Sequence, residues 1–280
     1  MGLRLNTNVP ALVAMRNLTK TRGSLDKTLE RLSSGSRINS AGDDAAGLAI
    51  SEGMRAQLRG ISQAERNAQD GISLVQVAEG AMAEVSNILI RLRELGVQAS
   101  SDTVGNQERK FMNLEFQQLL EETDRIAQST KFNGVPLLNG NSNVFEVQIG
   151  TGNNPLIDRV QLFDPLNADI NTVSLGLNLA NVADKMSAQN SLGALDNAIQ
   201  KVTAVRAEFG AMQNRLQSVV NNIMVTKENL ATANSRIRDT DIAEETTELT
   251  KNQILMSSGI SVLTQANNVT KSMLNLLSNS

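Results

Sequence analysis

The sequence predicts a mainly α-helical protein: a long antiparallel helical rod, packed like a coiled coil, with a small β-hairpin region, and flanked by paired N- and C-terminal helices. Three observations carry this prediction. Apolar residues recur every three or four positions over most of the chain. No proline lies between Pro10 and Pro136, and one central stretch alternates apolar and polar residues with a period of two.

A first helix is predicted near the N-terminus from apolar residues at heptad spacing. Steps of three and four residues keep one stripe facing a partner helix, as in a coiled coil. Gly35 and the segment 39–43 favour a turn, so the second helix is expected to begin near Asp43 or Asp44. The predicted stripe consists of Ala11, Met15, Leu18, Leu25, Leu29 and Leu32, interrupted by the polar Arg22.

Two long helices are predicted to form the rod. The first runs from about Asp44 to Ala99, which corresponds to roughly 84 Å at about 1.5 Å per residue, and the second covers about 192–237. Two long helices joined by a folded centre indicate an antiparallel rod. A shorter helix between them ends near 131–134 and carries on one face Met112, Phe116, Leu119 and Ile126.

The centre of the chain differs because its apolar residues alternate with polar ones. Segments 144–149 and 157–162 both show this alternation over much of their length, and the segment 150–155 between them consists of Gly, Thr, Asn and Pro. This pattern is typical of two antiparallel strands joined by a turn. We therefore predict a β-hairpin at about 144–162.

The last predicted helix is apolar on too much of its circumference for a surface helix. A helix of this kind is buried on several sides, and one partner helix does not cover it. Residues 1–37 carry seven basic and two acidic side chains, whereas residues 239–248 carry five acidic and no basic ones, so the two ends also attract each other. One stripe holds Leu255, Val262, Val269 and Leu276, and the other Met256, Ile260, Leu263, Leu274 and Leu277.

We expect the terminal helices to find their remaining cover on other copies of the same chain. A contact that joins two different surfaces of one molecule repeats as a filament unless the rotation closes a ring. The residues predicted to make this assembly are Met15, Leu18, Leu25, Leu29, Leu32, Leu255, Ile260, Leu263, Leu274 and Leu277.

The composition argues against an enzyme. The 280 residues include no His, Cys, Trp or Tyr, so a Ser-His-Asp triad, a Cys nucleophile and a thiolate or imidazole metal site are excluded. We expect no catalytic residue, no metal and no cofactor. The net charge of −3 predicts no nucleic-acid partner, and the lack of a long apolar run predicts no membrane span.

Several segments at both ends resemble the signatures of bacterial flagellins. Residues 29–50, which read LERLSSGSRINSAGDDAAGLAI, resemble the flagellin N-terminal signature, and residues 235–241, SRIRDTD, resemble the C-terminal one. Residues 67–73 and 91–99 look like parts of the first long flagellin helix, and KFNG at 131–134 looks like the turn after its second helix. The segment 259–268 keeps part of the usual flagellin ending.

The resemblance implies a terminal helical domain of residues 1–43 with 239–280 in the inner tube of a filament, and a rod domain of residues 44–238 outside it. It implies a self-polymerising subunit of the filament used for swimming, in a minimal form without large outer domains. The implied partners are further copies of the chain, the flagellar export apparatus, an export chaperone, the filament cap and hook-associated proteins. The implied location is extracellular, after export without a cleaved signal peptide.

The resemblance also implies a contact with the flagellin-sensing Toll-like receptor of the host. The matching residues are Arg91, Leu95 and Glu115. The alternative is that Arg91 and Glu115 are solvated or intersubunit charges and that Leu95 serves packing.

Two other functions remain open at this point. One is a hook–filament junction, or hook-associated, protein, which shares the terminal architecture. The other is a helical scaffold unrelated to flagella. The segment 29–50 favours the filament subunit, and the metallopeptidase insert of some flagellins is excluded because it needs His.

Overall fold

The computed structural model describes residues 7–141 and 144–278, with side chains described up to residue 272. Long helices dominate it, and two antiparallel hairpins lie between the third and fourth helices, which confirms the predicted fold class. The elements are α1 Val9–Ser34, α2 Ala45–Ala99, α3 Asn106–Ser129, β1 Lys131–Phe132, β2 Val135–Pro136, β3 Phe145–Gln148, β4 Arg159–Phe163, α4 Lys185–Arg238 and α5 Ile242–Ser278.

The chain divides into two compact units. Met1–Ala56 with Asn229–Ser280 form the terminal unit, and Gln57–Glu228 form the central unit. The predicted division at residues 43/44 and 238/239 refers to layers of a filament and stays a prediction.

Local sequence signals define the ends of α1. The Asn8 side chain accepts a hydrogen bond from the Ala11 N–H at 3.1 Å, and Pro10 occupies the first turn, where a free N–H is not needed. Gly35 ends the helix with a left-handed φ of 68° and donates its N–H to Arg31 O at 2.9 Å.

The chain segments after α1 and before α5 bind each other through the backbone. Ser36 and Asp239 form an isolated antiparallel bridge. The Arg37 N–H donates to Arg238 O at 2.6 Å, and the Thr240 N–H donates to Gly35 O at 3.1 Å. These bonds hold the end of α1 level with the beginning of α5.

The core of the central unit is built from α2, α3 and α4 together with residues of the segment 137–182 between α3 and α4. Its largest fully buried side chains include Phe116, Met82 and Phe209. The Phe163 ring of β4 contacts Phe209 edge-on, with centroids 5.0 Å apart, and Phe145 of β3 at 5.2 Å. The predicted hairpin is confirmed as the antiparallel pair β3–β4, and these ring contacts anchor it to the helices.

A second, smaller hairpin lies where the sequence predicted only a turn. Strands β1 and β2 pair antiparallel, and the residues between them, Asn133 and Gly134, both have positive φ, 49° and 81°. Two consecutive residues of positive φ form the tight turn that matches strand twist. Strands of two residues are too short to show a period-two pattern, which explains why the sequence analysis missed this hairpin.

Within the part of the chain that the structure describes, each helix falls short of the length and apolarity needed to cross a lipid bilayer.

Candidate assembly surface

The terminal unit is built around an antiparallel pair of helices, α1 and α5. The Asn8 side chain, at the start of α1, contacts α5 at Ala266 and Thr270, whereas Arg31, near the end of α1, contacts Glu245. The buried and half-buried residues of both helices follow alternating steps of three and four. We call this set the seam. It contains Ala11, Ala14, Leu18, Thr21, Leu25, Thr28 and Leu32 of α1 and Glu245, Leu249, Asn252, Met256, Gly259, Leu263, Ala266 and Thr270 of α5.

The predicted stripe of α1 was partly wrong. Met15 and Leu29 were expected to face the partner helix, but they are 59% and 46% exposed. Ala14 and Thr28, one residue earlier in each case, are buried in their place. The small side chains let the two helices approach closely, and the larger apolar neighbours remain outside.

The six large apolar side chains of the seam, five Leu and one Met, are only half-buried. At one contact, α5 presents Gly259, where a Cβ atom would lie 3.0 Å from Leu18 Cδ1. Asn252 and Glu245 are only 7% and 8% exposed, although both are polar. The Glu245 carboxylate binds Arg31 Nη1 at 3.0 Å, so this buried charge has a partner.

Outside the seam, the same two helices expose at least ten further large apolar side chains. A single exposed apolar residue needs no explanation, but so many on two helices are typical of an interaction surface. We call the following set the outer apolar face. It contains Val9, Leu12, Val13, Met15 and Leu29 of α1 and Ile254, Leu255, Ile260, Val262 and Val269 of α5.

The residues predicted to make the assembly therefore fall into two groups. Leu18, Leu25, Leu32 and Leu263 are half-buried in the seam. Four others belong to the outer apolar face, namely Met15, Leu29, Leu255 and Ile260. Leu274 and Leu277 lie outside the residues whose side chains are described.

The turn between α1 and α2 is held by an ionised carboxylate. The Lys27 ammonium donates to Asp43 Oδ1 at 3.0 Å, and the N–H and hydroxyl of Ser40 donate to Asp43 Oδ2 at 3.1 and 3.0 Å. These hydrogen bonds lower the pKa of Asp43 from 3.8 to about 2, and the bond from Lys27 contributes most to this lowering. The turn therefore depends on the charged form of Asp43.

The residues that match the receptor contact lie in the central unit. Arg91 Nη2 pairs with Glu115 Oε1 at 2.9 Å, and Arg91 Nη1 pairs with Glu94 Oε2 at 3.0 Å. These ion pairs raise the pKa of Arg91, and the hydrogen bond to Glu94 contributes most to this rise. Leu95 is 2% exposed and belongs to the core, so its side chain serves packing.

The sequence analysis missed two residues that contact α5 from α1. Asn8 and Arg31 are polar and lie outside the predicted apolar stripe, so a search for hydrophobic periodicity passes over them. A signal for Asn8 was present, because Asn followed two residues later by Pro is typical of a helix start.

Comparison with known proteins places both ends of the chain in one family. The family model of the bacterial flagellin N-terminal helical region matches residues 5–143. The family model of the bacterial flagellin C-terminal helical region matches residues 192–277.

Individual relatives match over nearly their whole length. A flagellin of Halalkalibacterium halodurans is 45% identical over 273 residues, which cover 98% of this chain and 99% of that protein. The flagellar filament 33 kDa core protein of Treponema phagedenis is 42% identical over 288 residues, with the same coverage of 98% and 99%. The crystal structure of Bacillus cereus flagellin is 33% identical, with a TM-score of 0.51 over 60% of this chain and 94% of that one. The chain therefore belongs to the bacterial flagellin family and is a structural subunit of the flagellar filament.

Proposed function

We propose that the chain enters the filament through its terminal unit, by burying the outer apolar face of α1 and α5 against further copies. One observation carries this proposal: the outer apolar face exposes ten Leu, Ile, Val and Met side chains, whereas the six large apolar side chains of the seam, five Leu and one Met, are only half-buried. Full burial of one Val, Leu or Ile side chain contributes about 1.5–3 kcal/mol. Contact with neighbouring subunits would therefore add stability that the seam alone does not supply.

The proposal includes the division into filament layers. Residues 1–43 with 239–280 are assigned to the inner tube, and residues 44–238 to the surrounding rod layer. The separate core of the central unit supports this assignment, because residues of that unit alone close it. The assembly role needs no catalytic residue, and we assign none.

The remaining partners are proposed from the family. They are the export apparatus, an export chaperone, the filament cap and hook-associated proteins, with export to the cell exterior in the absence of a cleaved signal peptide. For the host Toll-like receptor, we assign the direct contact to Arg91 and Glu115, whose side chains are each about half exposed, at 49% and 45%. Leu95 then has an indirect role: its side chain packs in the core beneath the surface that carries Arg91 and Glu115.

The test uses one exposed column of α5. Leu255, Val262 and Val269 recur every seven residues and are 48%, 58% and 45% exposed. In the variant Leu255→Gln, Val262→Gln, Val269→Gln, elongation from filament seeds should stop at protein concentrations at which the unsubstituted chain grows, as measured by light scattering and negative-stain imaging.

The matched control substitutes three exposed polar residues on another flank of the same helix, Thr250→Gln, Ser257→Gln and Thr264→Gln. This control should elongate. Normal growth of the first variant would contradict the proposal. Failure of the unsubstituted chain to elongate from seeds in pure solution would favour the hook-associated alternative.

A further inference from the structure

The seam between α1 and α5 does not fix by itself how far one helix lies along the other. In the observed register Leu18 lies opposite Gly259. Because the two helices are antiparallel, Ala14 then lies opposite Leu263 and Thr21 lies opposite Met256. Each of these layers combines one large and one small side chain, which is good packing.

The same alternation of large and small returns after every heptad. A shift by seven residues in one direction places Thr21 opposite Leu263, and a shift in the other direction places Ala14 opposite Met256. Both shifted layers again combine a small and a large residue. The apolar part of the seam therefore fits several registers almost equally well, a problem that coiled coils solve with polar residues at selected positions.

Two polar contacts across the pair are specific to the observed register. Asn8 Nδ2 donates to Thr270 Oγ1 at 2.8 Å, in addition to a bond to the backbone carbonyl of Ala266 at 3.1 Å, a kind of acceptor that any register offers. The ion pair of Arg31 and Glu245 lies at the other end of the pair, at 3.0 Å. We call these two the register contacts.

A shifted register loses both contacts. In one direction Leu263 replaces Thr270 opposite Asn8, and Arg31 lies beyond Ile242, the first residue of α5. In the other direction Arg31 lies opposite a neutral residue, Asn252. In either case Glu245, which is 8% exposed in the observed register, loses its cation, and a buried charge without a partner is strongly destabilising.

We infer that Asn8 and the Arg31–Glu245 pair are the specificity-determining residues of the α1–α5 pairing, and that they select one heptad register among those the apolar seam allows. The backbone bridge between Ser36 and Asp239 also requires the two helix ends to be level, so it belongs to the same register and acts together with these side chains. The inference concerns pairing within one chain and does not depend on which layer of the filament the pair occupies.

Disulfide trapping tests the inference cleanly because the chain has no cysteine. Four positions serve all three registers. Ala14→Cys with Leu263→Cys and Thr21→Cys with Met256→Cys report the observed one. Ala14→Cys with Met256→Cys and Thr21→Cys with Leu263→Cys report the two shifted ones. One heptad corresponds to about 10 Å along a helix, and a disulfide needs Cα atoms within about 7 Å, so the reporters do not overlap.

The pairs are oxidised in filaments grown from seeds, and disulfide-linked peptides are identified by mass spectrometry. Links within one chain are separated from links between chains by gel mobility. With the register contacts intact, only the observed-register pairs should form links within one chain. Substantial trapping of the shifted pairs in this background would overturn the inference.

The register contacts are then removed by Asn8→Ser, Arg31→Leu and Glu245→Leu. Serine keeps the helix cap of α1 but does not reach Thr270, and the two leucines leave no unpaired charge. The ratio of shifted to observed links should rise at least about tenfold, which corresponds to about 1.4 kcal/mol. The control Glu248→Leu with Lys251→Leu, an ion pair within α5, should leave the ratio unchanged.

Variants that do not elongate alone are trapped after incorporation into filaments with an excess of the unsubstituted chain. The exchanged pair Arg31→Glu with Glu245→Arg provides a second test, because it restores attraction and should keep the observed register, whereas Arg31→Glu alone should shift it. Two results would overturn the inference. One is that the variant without register contacts forms links of the observed register alone. The other is that the exchanged pair and Arg31→Glu give the same ratio of shifted to observed links.

Discussion

Arg109 donates from Nε to the carbonyl oxygen of Ala99 at 2.8 Å, so a side chain at the start of α3 closes the last turn of α2. The same guanidinium donates to Ser101 O at 2.8 Å and to Asn106 Oδ1 at 2.9 Å. Arg109 is 6% exposed, and its three acceptors satisfy the buried donors. The turn between the two helices is therefore organised around one buried cation.

Arg109→Ala should destabilise the protein by about 2–3 kcal/mol, because hydrogen bonds to a charged group are lost and helix-end carbonyls lose their donor. Urea unfolding followed by far-ultraviolet circular dichroism measures this, since the chain has no Trp or Tyr for fluorescence. The control Arg125→Ala removes an exposed arginine paired within α3 and should change stability by less than about 1 kcal/mol. Equal effects would refute the role of Arg109.

Gly47→Ala should destabilise the terminal unit. A Cβ atom there would lie 2.5 Å from Asp44 Oδ2 and 2.7 Å from Ile38 Cδ1, and relief of such overpacking typically costs about 1–3 kcal/mol. Gly53→Ala in the same helix meets no atom within 4 Å and should stabilise by up to about 1 kcal/mol, because alanine favours the helix. Thermal unfolding should move the two midpoints in opposite directions.

Asp43→Asn should lower the midpoint of thermal unfolding at pH 7 but have no effect near pH 2. The folded-state pKa of Asp43 is lowered from 3.8 to about 2, mainly by the hydrogen bond from Lys27. Its stabilising effect is therefore complete above the unfolded-state value and disappears as the pH falls through that interval. A constant difference between the two proteins from pH 7 to pH 2 would contradict this, and Asp26→Asn on the exposed side of α1 serves as control.

Leu95→Ala should destabilise the central unit by about 2–5 kcal/mol, because a fully buried leucine leaves a cavity. Arg91→Ala should cost less than about 1 kcal/mol, since its ion pairs are exposed. Receptor-reporter assays and unfolding curves, measured on the same samples, separate the two effects. We expect Arg91→Ala to reduce receptor activation without loss of stability, whereas any loss with Leu95→Ala should follow unfolding.

The long helices were predictable because their periodicity extends over many turns. The predicted segment from Asp44 to Ala99 differs by one residue from the observed α2. The burial of Leu95 was also predictable in principle, since Leu92 and Ala99 at helical spacing are buried with it. Packing was the alternative role that the sequence analysis gave for Leu95, and its burial agrees with that alternative.

The seam of α1 was less predictable for a physical reason. Pattern analysis assigns the larger apolar residue of two neighbours to the inside, so it selected Met15 and Leu29. The structure buries Ala14 and Thr28 instead. A pattern of steps of three and four leaves the rotation of a helix about its axis open by about one residue, so it does not decide between such neighbours.

The most direct test of the assembly proposal compares hydrogen exchange in free subunits and in filaments. A helix pair with a weak seam and an exposed apolar face should open readily when it is alone. We predict that amides of α1 and α5 exchange rapidly in the free subunit, while those of the central core are protected, and that the filament protects all of them. Equal and strong protection of α1 and α5 in free subunits and in filaments would contradict the account.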